Sequence, residues 1–182
     1  GPRHAFVARS LTSLARLSAL EGRTAEAERL LQRALDIRER EFGPEHYLVA
    51  KSLTDIAALR AADGDDDAAA DLLERALNLQ RRALGPDHPE VARTLSTLGT
   101  VFRVRGEPAV ARRLLERAVA IAERQLPGSS ESGKWLSNLG LVYQDAGELE
   151  RARQSFVRAT AILERAEGPE SPFVAMTLDN LG

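Results

Sequence analysis

Apolar residues recur along this chain at helical spacing, as in Val91, Leu95, Leu98 and Phe102, and no segment reads as a strand. The pattern then returns. LTSLARL from Leu11 reappears as LTDIAAL from Leu53, LSTLGTV from Leu95, LSNLGLV from Leu136 and LDNLG from Leu178, at steps of 42, 42, 41 and 42 residues. A fixed period of this size marks stacked supersecondary units, each unable to bury its apolar face alone.

Each unit divides into two helical patterns. The first ends at a glycine, Gly22, Gly64, Gly106 or Gly147, the residue best suited to the left-handed turn that closes a helix. The second opens with Pro108 tolerated in its first turn, or with Asp65 to Asp67 placed favourably at the positive end of the helix dipole. Its inward stripe alternates small and large. Ala27, Ala69, Ala111 and Ala152 are followed four residues later by Leu31, Leu73, Leu115 and Phe156, and three later again by Ala34, Ala76, Ala118 and Ala159. Small side chains let helix axes approach and large ones fill the remaining gap, so this stripe predicts close helix pairing. The second helix closes at the next Gly-Pro, and the following one restarts at Pro89, or at Pro172 behind Ser171 as an N-cap.

The run Leu-x-x-Leu/Ile-Ala/Gly, then Gly, then Ala-x3-Leu/Phe-x2-Ala resembles the tetratricopeptide repeat. The phrase GPDHPEVA from Gly85 and the long period resemble its kinesin-light-chain subtype rather than the 34-residue form. The resemblance covers almost the whole chain. It implies one all-α domain over 1–182, a right-handed solenoid of antiparallel helix pairs with nine helices. The repeats fall at about 1–42, 43–84, 85–126 and 127–167, with a half repeat over 168–182. Ending inside a repeat leaves Leu178 and Leu181 partly bare, which reads as a fragment of a longer protein. Two departures stand out. Ser18 and Arg60 occupy the place where Phe102 and Tyr143 put a ring, so the first two repeats should pack differently there. In the fourth repeat the linking phrase becomes LPGSSESGKW, one residue shorter, and its loop chemistry should be lost.

Composition narrows the function classes. Over 182 residues the apolar share is 43% and the charged share 29%, a globular balance, and no run is long enough to span a membrane. A net charge of −2 with 4% aromatic residues argues against nucleic acid and anionic membrane as partners. With no cysteine and no secretory signal, the chain reads as cytoplasmic. Lys51 and Lys134 are its only lysines. Gly1-Pro2 matches Gly43-Pro44 and Gly85-Pro86, yet also fits an expression scar.

Candidate chemistry is sparse. His4, His46 and His88 stand one repeat apart, and helices stacked roughly 8–10 Å apart cannot bring them within the roughly 2 Å of one ion that zinc demands. They read as loop or N-capping residues, with no metal and no other cofactor. The run DGDDD, Asp63 to Asp67, lacks the later bidentate glutamate of a calcium loop and reads as helix capping. No nucleophile sits with a base and an orienting group, so the chain reads as non-catalytic.

The resemblance places the first helices on a concave face, and drifting residues there report the ligand. Two residues before each repeat's first leucine stand Arg9, Lys51, Arg93 and Lys134, then Met176. Rungs about 10 Å apart in water repel by only about 0.4 kcal/mol, so a basic ladder is tolerable without a ligand. An extended peptide rises about 3.3 Å per residue, which favours acids about three residues apart. Two residues after the first leucine come Ser13, Asp55, Thr97, Asn138 and Asn180. In the resembling family an asparagine there binds the main chain of a bound peptide, its amide both donating and accepting, which favours the C-terminal half. Arg16, Arg103 and Gln144 could also face the groove, while Trp135 reads as a plug for the altered fourth repeat. The expectation is a scaffold for an extended acidic segment of a protein partner. Two alternatives stand beside it: the regulatory arm of a larger signalling ATPase, kinase or protease, and end-to-end self-association through bare repeat faces.

Overall fold

Glycine and proline set the joints of this structure, and the stripes between them set its packing. The computed structural model describes residues 2–181, so Gly1, half of the first Gly-Pro phrase, lies outside the described residues, as does Gly182. Among the described residues there are nine helices and no strand: α1 (Pro2–Leu20), α2 (Thr24–Phe42), α3 (Tyr47–Ala62), α4 (Asp66–Leu84), α5 (Pro89–Val104), α6 (Pro108–Gln125), α7 (Ser130–Asp145), α8 (Leu149–Glu167) and α9 (Pro172–Asp179). The helices are consecutive pairs, as the repeat predicts. They group into two compact units, Gly1–Pro86 and Asp87–Gly182.

Within each pair the turn needs a backbone that L-residues avoid. Gly22, Gly64, Gly106 and Gly147 have φ between 74° and 81°. At Gly106 this lets the Gly106 and Glu107 N–H groups reach back to the carbonyls of Arg103 and Phe102, at 3.0 and 2.9 Å, satisfying the open end of α5. The starts of α3, α5 and α9 are capped by residues at matching repeat positions, and that of α4 by Asp65. Nδ1 of His46 accepts from the Leu48 N–H at 3.2 Å, and Nδ1 of His88 accepts from the Glu90 N–H at 3.1 Å. Ser171 accepts from the Phe173 N–H, and Asp65 accepts from the Ala68 N–H, both at 3.2 Å.

In the first unit α1 packs on α2, α3 on α4, and α2 on α3, with α1 also meeting α3. Ala15, Leu31, Leu35, Val49 and Leu53 share one buried cluster. A charged residue belongs to this interior. Arg38, 5% exposed, donates to the hydroxyls of Ser52 on α3 and Thr12 on α1. Burial pushes its guanidinium below the ordinary arginine pKa, with Asp55 opposing the shift. In the second unit α5 packs on α6, α7 on α8, α6 on α7 and α8 on α9, and α5 meets α7. There the pairs close more tightly. A Cβ added at Gly140 would lie 2.6 Å from the Phe156 ring, so only glycine fits opposite that phenylalanine.

Two expectations are corrected. His4 is not in a loop: α1 begins at Pro2, three residues earlier in the repeat than α3 or α5, and absorbs the segment that those repeats use as a joint. Its Nδ1 pairs instead with Glu41. Nor does the shortened fourth joint lose its loop chemistry. Gly128 takes φ 71°, and the Ser129 hydroxyl accepts from the Ser132 N–H at 3.2 Å, doing for α7 what histidine does for α3 and α5. The ring departure does change packing. Ser18 is fully buried with its hydroxyl unpartnered, and Arg60 pairs with Glu28, whereas the Tyr143 hydroxyl donates to Glu116 at 3.0 Å. Trp135 is buried on α7. No helix among the described residues is long and apolar enough to cross a membrane.

Candidate functional site

Alternate turns of α1 and α3 carry the candidate residues of the first unit. Arg9 and Arg16 are two turns apart on one face of α1, and Lys51, Asp55, Ala58 and Ala62 follow one another along one face of α3. Arg9 and Lys51 are exposed, and neither has an acidic partner among the described residues. Arg16 is engaged: it donates to Asp55 Oδ1 at 3.0 Å, tying α1 to α3. The other oxygen of that carboxylate, Oδ2, is buried without a donor.

The second unit treats its cations differently. Arg93 is exposed on α5, and its guanidinium pairs with Glu90, one turn before it, at 3.4 Å. Thr97, half-buried, turns its hydroxyl back to the Arg93 carbonyl at 3.1 Å. Arg103 crosses from α5 to α7 and pairs with Asp145 at 2.9 Å. Lys134 on α7 is half-buried and doubly engaged: its ammonium lies 2.8 Å from Glu167 and 3.6 Å from the centre of the Phe173 ring. It therefore joins three helices rather than presenting a bare charge. Glu167 also accepts from the hydroxyls of Ser130 and Ser171, and the Lys134, Ser130 and Ser171 hydrogen bonds together bring its pKa down to about 2. Asn138 is half-buried on α7, Asn180 stands at the C-cap of α9, and Gln144 is exposed near the end of α7.

Pairing partners were the part that residue type alone did not reveal. Asp55, Asp145, Glu167 and Phe173 each meet a candidate cation, and the signal for the first two is an offset close to one period. Arg16 and Asp55 differ by 39 positions, Arg103 and Asp145 by 42. A second furrow, between α6 and α8 over α7, was also missed. Arg112 lies 5.3 Å from the centre of the Tyr143 ring and pairs with Glu116 and Glu148 at 2.9 and 2.8 Å. Burial raises the Tyr143 pKa and its bond to Glu116 adds to this. At Glu116 burial pushes upward too, but the bonds from Arg112 and Tyr143 outweigh it and leave the carboxyl lowered. Each arginine lining the furrow has an acidic partner, Arg112 in Glu116 and Glu148, Arg151 in Glu148 and Arg158 in Glu123, so the furrow is a structural network.

The chain has clear relatives. A family model described as Tetratricopeptide repeat matches residues 6–81, 56–124 and 131–182. A crystal structure of nearly identical TPR-like repeats described as kinesin light chain, from Podosopora anserina, is 25% identical with a TM-score of 0.81, covering 98% of this chain and 84% of that one. The crystal structure of BtubC (BKLC) from P. vanneervenii is 26% identical with a TM-score of 0.86, covering 98% of this chain and 72% of that one. The crystal structure of MamA, 20% identical with a TM-score of 0.62 over 87% of this chain and 79% of that one, shares the fold. No curated protein matches the chain significantly.

Proposed function

The chain belongs to the tetratricopeptide repeat family, and from that premise we propose that it is a non-catalytic scaffold whose first-helix faces bind an extended, acidic segment of a partner protein. One observation carries the reading. Arg16, Arg103 and Lys134 are neutralised by acids of the chain, whereas Arg9 and Lys51 are exposed on one unit with no acid opposite them among the described residues. A carboxylate from a ligand supplies what the fold leaves out. Arg93, held by an exposed neighbour one turn away, is the corresponding contact of the second unit.

The test is a charge reversal that spares the structural pairs. Arg9→Glu with Lys51→Glu should weaken binding of a glutamate-rich extended peptide about tenfold at low salt, because two exposed attractions become repulsions. Helicity by circular dichroism should be unchanged. Equal affinity of the wild type and the double variant at low salt refutes the charge reading. Lys134 is left untouched, since it holds α9 in place.

A second reading has its own observation. Phe6, Leu14 and Leu17 on α1 are 67%, 45% and 57% exposed, while Ile56, Leu98 and Leu139, at the place of Leu14 in the other repeats, are buried. An exposed apolar stripe of this kind favours contact with a second copy.

A further inference from the structure

A shallow depression of about 510 Å³ lies on α1, lined by Phe6, Arg9, Ser10, Ser13, Leu14 and Leu17. Its walls are open. Phe6, Val7, Leu14 and Leu17 together leave roughly 400 Å² of apolar surface uncovered, the scale at which a contiguous patch marks a protein contact. Order matters more than area. Phe6, Ser10, Ser13 and Leu17 run large, small, small, large, at spacings of four, three and four residues. That spacing reads the same from either end, and at helical pitch all four share one face. A two-fold contact requires such an order, because residue i of one copy must meet residue j of the other while j meets i.

We propose that α1 pairs antiparallel with α1 of a second copy, Phe6 of each lying against Leu17 of the other and the serines of both meeting at the crossing. Small side chains there let the two axes approach, and the large ones fill the gap on either side, as they do inside each helix pair of the fold. Arg9 falls opposite Leu14, its stem on the leucine and its charge at the margin. The two guanidinium groups stand about 7.5 Å apart along the helices before the width of the pair is added, so in water they repel weakly. Two such patches bury roughly 800 Å² of apolar surface, and with a polar margin reach the about 1,000–1,200 Å² of a weak, reversible interface. This pairing deepens the second-copy reading, on which it rests, by fixing the helix, the symmetry and the register. The two-fold axis also leaves both Arg9 side chains on one side of the seam, so the pair offers an acidic partner two basic faces at once.

The chain has no cysteine, so introduced thiols report the register without background. Phe6→Cys mixed with Leu17→Cys should link as a disulfide dimer under mild oxidation. Each variant alone should link about tenfold less, since its two thiols would stand roughly three turns, about 16 Å, apart along the pair. Wild-type mass by light scattering should rise above 19.8 kDa with concentration. Ser10→Trp, a change at an exposed serine, should hold the mass at that value by wedging the crossing apart. No linkage in the mixture, equal linkage alone and mixed, or unchanged self-association of Ser10→Trp overturns the pairing. The two readings fail separately. A rising mass with any of those results leaves the second copy and removes this register, whereas a constant 19.8 kDa removes both.

Discussion

Gly140 shows how closely single residues govern this fold. Its missing side chain is the space that the Phe156 ring occupies, with the nearest ring atom 2.6 Å from where a Cβ would stand. Alanine there gains helix propensity of about 0.5–1 kcal/mol but overpacks a fully enclosed ring at about 1–3 kcal/mol, so Gly140→Ala should destabilise by about 1 kcal/mol. In the first unit the corresponding pairs are Ala15 with Leu31 and Ala57 with Leu73, all buried. The double variant Gly140→Ala/Phe156→Leu should thus be more stable than the two single variants predict, by about 1 kcal/mol in a denaturant double-mutant cycle. Strict additivity would show that the ring and the glycine do not constrain each other. The stripe of small and large residues was plain in the sequence, because period and size are one-dimensional properties. The contact at Gly140 was not, because it depends on how far one helix axis approaches its neighbour. His4 failed for a related reason: repeat position named its joint, but not the early start of α1.

Short helices depend on what fastens their ends, and α9 is fastened by Glu167. Its carboxylate collects the Lys134 ammonium and two serine hydroxyls, and its pKa falls to about 2 from the ordinary glutamate value of about 4.5. A carboxyl depressed in the folded state contributes stability above its unfolded pKa, and that contribution is lost as pH falls through the folded value. The window is therefore about pH 4.5 down to about 2. Carbon-detected titration should give Glu167 a midpoint near the lower bound, and Lys134→Met should raise it, because the first-named stabiliser is gone. A wild-type midpoint at an ordinary glutamate value would dissolve this fastening. Sequence placed Lys134 in a ladder with Arg9, Lys51 and Arg93, since all four share a repeat position. It could not show that Phe173, two residues past the N-cap of α9, would lie across the ammonium. Equivalence by position fixes where a side chain starts, and its neighbours decide what it does.

The molecule as a whole repeats its scaffold while varying its exposed faces. The apolar stripe on α1 is one such variation: Leu14 and Leu17 are open there, whereas Leu98, Val101, Leu139 and Val142 at their places are buried. If a second copy covers that stripe, the mass by light scattering should rise with concentration, and Leu14→Glu/Leu17→Glu should hold it at 19.8 kDa. A constant monomer mass across that range would dismiss the second-copy reading. Helix pairs, joints and core stripes were legible in the sequence because stacking forces every repeat to solve the same problem. The depression on α1 was not legible, since exposure depends on which helices pack against a face. The chain's near-total use of arginine has a practical consequence. Of its two lysines, Lys134 is enclosed by Glu167 and Phe173, whereas Lys51 stands open on α3. Of the two side-chain amines, Lys51 is thus the more open to an acylating reagent, and it is set on the face where the acidic ligand is proposed to lie. The protein carries a nearly site-specific chemical handle without engineering, and its shielding or exposure is a direct report on that face.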